Sequence, residues 1–313
     1  MNKILITFML LIPLVMHSMI AKEQRQSTAQ PAAPPPNFEN KMAKVNGISI
    51  HYVIGGQGEP LILIHGFGEN WFTWNRILPE LSKHFTVIAP DLRGFGESDK
   101  PTGGYDKKNM AVDMHELTKS LGYNKVSVVG HDIGLMVAYA YAAQFPDGVK
   151  KLVLMDAILP GIEPEWTRIR AQAWWWGFFG WPASSEIIEG KQKEFLTSFW
   201  PTVSHSQDPF TEEEKDEFIR SFEVPGATNG AFHWFAAFPQ DAKDDQEWQK
   251  HKLQMPVLSM YGEYGATYLT EHIRLVADHV KDVAIKNAGH WLVQENTSQV
   301  QSELLTFLAD NEQ

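Results

Sequence analysis

Gly130-His131-Asp132-Ile133-Gly134 stands between an apolar strand run at 126–130 and a small-residue helical run at 133–145. Glycine on both sides lets the chain turn where a β-carbon would clash. Such a turn holds the Asp132 carboxylate out beyond the strand end. It also aims the Ile133 N–H at the same spot from a helix N-terminus. A carboxylate is ionised without help, unlike a serine hydroxyl, and can attack an sp3 carbon carrying a leaving group. The product is an ester, and its release needs water and a general base. His290, in Asn287-Ala288-Gly289-His290-Trp291, is the histidine placed late in the chain between the last strand and the last helix. Its expected role is that base. His65-Gly66-Phe67-Gly68 follows the first buried strand run. The Phe67 N–H would join the Ile133 N–H as donors to the oxyanion of ester breakdown.

These groups need a frame. Residues 42–45 and 48–54 flank Asn46-Gly47, a favoured hairpin turn. Short apolar runs at 61–65, 85–90, 126–130, 152–156 and 256–261 read as strands covered on both faces. A further strand is expected at 283–286. Helical spacing recurs at 71–82, 109–121, 133–145, 271–279 and 292–308. Alternation of this kind predicts an α/β fold with a mainly parallel sheet and helices on both faces. Residues 157–252 break the pattern: they hold eight of the eleven tryptophans and show no strand run. They are expected to form a helical cap over the carboxyl edge of the sheet, where ligand sites of open α/β sheets lie.

Composition narrows the function. The chain has 313 residues, a formal net charge of −11 and no cysteine. Without cysteine there are no disulfides, thiolate metal sites or thiol nucleophile. No metal or cofactor is expected. The acidic balance disfavours a nucleic-acid partner and an anionic substrate held by broad electrostatics. A neutral apolar small molecule is the expected ligand, and a homodimer is compatible with this reading.

The chain opens with Lys3 and an uncharged apolar run from 4 to 16, too short to span a bilayer. This reads as a signal peptide over 1–21, with export to the periplasm or beyond and no membrane contact after its removal. Residues 22–38 are polar and Pro-rich and are expected to form a disordered tether. The core is expected over 39–156 and 253–313, and the cap over 157–252.

HGFGENW at 65–71, DLRGFGESDKP at 91–101, GHDIG at 130–134 and NAGHW at 287–291 occur in this order. Together they resemble the Asp-nucleophile branch of the α/β-hydrolase superfamily, which holds epoxide hydrolases and haloalkane or haloacetate dehalogenases. The resemblance covers about residues 40–310 and is strongest to secreted Cif-type epoxide hydrolases. It implies an eight-stranded α/β-hydrolase sheet and opening of an epoxide to a vicinal diol through an ester on Asp132. In many relatives the acid that orients the histidine would fall at Gly265, which has no side chain. Asp156, closing the 152–156 strand, is the expected acid, with Glu263 as the alternative.

An epoxide oxygen needs a donor as the ring opens. The resemblance places a His and a Tyr in the cap for this, and this sequence has Trp175 and Phe235 there. Phenylalanine donates nothing, and an indole N–H donates a hydrogen bond but no proton. His233, Tyr264 or Tyr268 could substitute. Paired indoles at Trp175 and Trp176 would suit a halide, which needs donors only, so a dehalogenase is the alternative enzyme. A binding protein without turnover is the alternative outside enzymes.

Overall fold

The computed structural model describes residues 30–309. The expected leader lies outside the described residues, as does the tether up to residue 29. The strands are β1 (Phe38–Val45), β2 (Ile48–Gly56), β3 (Glu59–Ile64), β4 (Phe85–Pro90), β5 (Val126–His131), β6 (Val149–Met155), β7 (Val257–Gly262) and β8 (Val280–Ile285). They form one sheet in the order β1-β2-β4-β3-β5-β6-β7-β8. β2 runs antiparallel to β1 and β4, and every other pair is parallel. Asn46 and Gly47 both take positive φ, +45° and +78°, as a two-residue turn of this hand requires.

The central strand β5 is buried along its whole length. The helix Ile133–Gln144 that follows is almost wholly buried and apolar on all sides, as a helix packed between sheet and neighbours must be. Register then does the positioning. His131 pairs with Met155, and Met155 pairs with Met260. Asp132 and Asp156 each follow a paired residue, so they emerge at the same height from adjacent strands.

Between β6 and β7 the chain carries seven helices and no strand, from Glu165–Gln172 to Phe238–Trp248. Buried polar contacts hold this cap to the core. Asp241 in the cap accepts from both the backbone N–H and the Nζ of Lys107, each at 2.8 Å. Arg76 forks onto Glu214. Asn70 donates to Glu217 Oε1 at 2.7 Å, and Trp234 Nε1 donates to the Arg93 carbonyl at 3.1 Å.

Several expected boundaries move. The helix expected at 71–82 is a 3-10 turn, Trp71–Trp74, and a single turn, Leu78–Leu81, because Pro79 lacks the N–H a continuous helix would use. The helix at 292–308 is interrupted at Asn296, whose ψ of 69° is not helical, giving Leu292–Glu295 and Thr297–Ala309. The helix at 271–279 shrinks to Leu269–Ile273, and β8 starts at Val280 rather than 283. The described end of the tether is not free either. The Ala32 N–H donates to Glu217 Oε2 at 3.0 Å, and Phe38 is already buried in β1.

Candidate active site

Asp132 sits at φ +53°, ψ −121°, a conformation a non-glycine residue adopts only when its surroundings impose it. The surroundings here are tight. A Cβ at Gly130 would lie 2.1 Å from the Gly134 carbonyl oxygen, and one at Gly134 would lie 2.1 Å from that of Ile64. The Asp132 N–H donates to Met155 O, and its carbonyl accepts from Leu135 N. The turn thus locks the carboxylate at the strand end.

Asp132 Oδ1 accepts from the Phe67 N–H at 2.7 Å. Asp132 Oδ2 lies 3.7 Å from His290 Nε2. His290 Nδ1 lies 2.9 Å from Asp156 Oδ2. Asp156 Oδ1 accepts from the Gly262 N–H at 3.0 Å and the Ala266 N–H at 2.9 Å. The orienting carboxylate is therefore itself fixed, and its imidazole presents Nε2 toward Asp132. Glu263 stands elsewhere: it is exposed, and its carboxylate accepts from the Asn287 N–H at 3.0 Å. Ile133 opens the helix beyond the turn, with its side chain buried.

A cavity of about 310 Å³ covers these groups. Asp132, Asp156, His290 and Phe67 line it from the core side, and Trp175, Trp176 and Phe235 line it from the cap. His233 does not. It turns away, with Nδ1 at 2.8 Å from the Asn229 carbonyl and its ring stacked on Tyr105 at 5.2 Å. The expected donor at His233 is thus corrected: two residues of helical rotation, about 200°, put its face opposite that of Phe235. Tyr264 borders the cavity but is exposed and stacked on His205 at 4.0 Å. Tyr268 also lines the cavity, and its hydroxyl has no hydrogen-bond partner among the described residues. Burial, aided by the Asp156 charge, raises its phenol well above the usual tyrosine range, so it stays protonated. Arg168 packs over the Tyr268 ring at 4.4 Å.

One pair escaped the sequence analysis. His131 and Glu69 are both buried, with His131 Nδ1 at 3.1 Å from Glu69 Oε2. His131 Nε2 lies 2.8 Å from the His290 carbonyl, and the two rings lie 4.6 Å apart. Burial alone would lower the His131 pKa, but the Glu69 carboxylate overrides it and raises the value to about 9. His131 is then a cation bonded to the backbone of the very residue that faces Asp132. Its only signal in the sequence was its place inside the GHDIG turn. His65 supports the opposite wall. Its Nε2 accepts from the Leu92 N–H at 3.0 Å, which leaves Nδ1–H to donate to the Gly66 carbonyl at 2.8 Å. Burial lowers its pKa, in keeping with a neutral ring. Among the described residues no cluster of three His, Asp or Glu could hold a metal ion.

Comparison with known proteins agrees with this frame. Residues 59–297 match the model of the alpha/beta hydrolase fold family. A soluble epoxide hydrolase of Corynebacterium sp. (strain C12) is 34% identical over 277 residues, covering 85% of this chain and 96% of that protein. A fluoroacetate dehalogenase of Burkholderia sp. is 30% identical, covering 87% and 94%. The solved structure of the ligand-free epoxide hydrolase CorEH superposes with a TM-score of 0.82 at 33% identity, covering 87% of this chain and 99% of that one. The chain belongs to the α/β-hydrolase superfamily. It is an epoxide-hydrolase-like hydrolase, with dehalogenases also among its relatives.

Proposed function

We propose that this protein opens neutral apolar epoxides to vicinal diols through a covalent ester on Asp132. The observation that carries this reading is the position of Asp132, held between the Phe67 N–H and His290 Nε2 on the floor of an apolar cavity. Asp132 Oδ2 attacks a ring carbon. The C–O bond of the ring breaks, and its oxygen leaves as an alkoxide that remains on the substrate. Tyr268, with its unpartnered hydroxyl, gives that oxygen a proton, while the indole N–H groups of Trp175 and Trp176 are further donors. His290 Nε2 then takes a proton from water, and the hydroxide attacks the ester carbonyl carbon. The developing oxyanion on Oδ1 keeps the Phe67 N–H, with the Ile133 N–H as second donor. On collapse the C–O ester bond breaks, the departing alkoxide takes the proton of the added hydroxyl to complete the diol, Asp132 returns to its carboxylate, and the proton on His290 returns to the Tyr268 phenolate. Asp156 orients His290 and offsets its transient charge.

The same set could displace a halide, which needs only donors, and the paired indoles lining the cavity favour that second reading. One experiment separates the two. His290→Gln is incubated with epoxides and haloalkanes and the intact protein is weighed. An epoxide adduct retains the mass of its oxygen, whereas a haloalkane adduct lacks the halogen. No adduct with any of these reagents would discard the covalent reading and leave a binding protein. For location, the charged-then-apolar start supports export, and N-terminal sequencing of the protein recovered from periplasm or medium tests it.

A further inference from the structure

Beside the catalytic cavity lies a second chamber of about 500 Å³ in the cap, half open to solvent, with Arg170, Gly177, Ala236 and Pro239 of its lining exposed. The two share Ala173, Trp176 and Phe235 as walls. None of Asp132, His290 or Asp156 borders the second chamber, so it is not more of the reaction site. Its inner surface is aromatic: Trp166 stacks on Trp176 at 5.5 Å, and Phe238 meets Phe235 at 5.1 Å. Trp174, on its rim, is 65% exposed. Two of the three shared walls are aromatic side chains, Trp176 half-buried and Phe235 buried. The catalytic cavity sits at the lower end of the usual range for ligand pockets, about 300–1,000 Å³. A substrate with a long apolar arm overfills it, and further space lies on the other side of Trp176 and Phe235.

We propose that the second chamber is a subsite for the distal arm of the substrate. The substrate class is then an epoxide borne on a long aliphatic chain. Its reacting carbon lies at Asp132 and its tail passes between Trp176 and Phe235. This rests on the epoxide-opening reading.

The test compares butene, octene and dodecene oxides on the intact protein and on two variants that fill the second chamber. A Cβ at Gly177, a lining residue, meets nothing within 4 Å, so Gly177→Leu adds bulk without a clash and improves helix propensity. Ala236→Leu fills the chamber from another wall. The parent kcat/KM is expected to rise with chain length, with about fourfold as the ceiling per methylene buried. Both variants should cut the dodecene-to-butene ratio about tenfold or more. A parent without chain-length preference, or variants that leave the ratio unchanged, would overturn the proposal. If no epoxide turns over, the reaction reading has failed, and dodecanol quenching of tryptophan fluorescence then reads the chamber alone. Quenching weakened by Gly177→Leu retains the subsite, and quenching unaltered by it removes the subsite.

Discussion

The Asp156 carboxylate occupies the space that a side chain at Gly265 would need: a Cβ there would lie 2.6 Å from Asp156 Oδ1. The two positions are thus alternative seats for one charge, on the ends of neighbouring strands. In this chain the charge stands at the earlier seat, 2.9 Å from His290 Nδ1. Gly265→Ala should push the carboxylate away from His290 and lower kcat at least about tenfold with little change in KM. Asp156→Asn should cost up to about 10⁴-fold in kcat, the scale seen when a triad carboxylate becomes an amide. Combining Gly265→Asp with Asp156→Ala, which vacates that space, should recover part of the lost turnover, while Glu263→Gln should leave turnover within a factor of about three. Steady-state kinetics on the four variants checks the set, and a silent Asp156→Asn would move the acid elsewhere.

The buried His131–Glu69 pair predicts an alkaline weakness. The folded His131 pKa, about 9, is above the ordinary histidine value. A raised pKa contributes stability that is complete below the unfolded value, near 6.5, and is lost as pH rises through the folded value. Thermal unfolding should therefore show Tm falling between about pH 6.5 and 9, reflecting a loss of unfolding free energy on the order of 3 kcal/mol over the whole titration. Glu69→Gln should lower Tm at neutral pH and flatten that slope. A parent Tm that is level across this window would mean that His131 is neutral in the native state.

Tyr268 should separate the two leaving groups. A phenol held protonated by its surroundings can serve an alkoxide, whereas a halide takes hydrogen bonds from indoles equally well. Tyr268→Phe should lower kcat on epoxides by about 10²-fold, the lower end of what a positioned acid contributes. Any haloalkane turnover should stay within a few-fold. Equal losses on both would make the tyrosine a packing residue.

The core of the site was legible because it depends on local rules. Gly130 and Gly134 mark the sharp turn, and the order of motifs sets which strand ends meet. The choice of Asp156 over Glu263 could be reasoned but not seen, because it depends on the β6–β7 register that puts Gly262 N–H and Ala266 N–H around one carboxylate. The cap was recognisable only as a tryptophan-rich interruption. Its helices meet the cavity through rotation about their own axes, which spacing within a single helix does not reveal, and so His233 was misplaced while Phe235 two residues on was not. The Glu69–His131 contact joins residues 62 positions apart in sequence. No pattern in either segment announces such a contact.

The polar anchors between cap and core bear on how anything gets in. Lys107 and Asp241 are both almost fully sequestered, and separating them would strand two charges out of water. A wholesale lifting of the roof would have to break this and the Arg76 and Asn70 attachments together. Traffic has no need of such a lift: Tyr264, Arg168 and Gln172 on the cavity's edge are exposed, so molecules pass that edge with the roof in place.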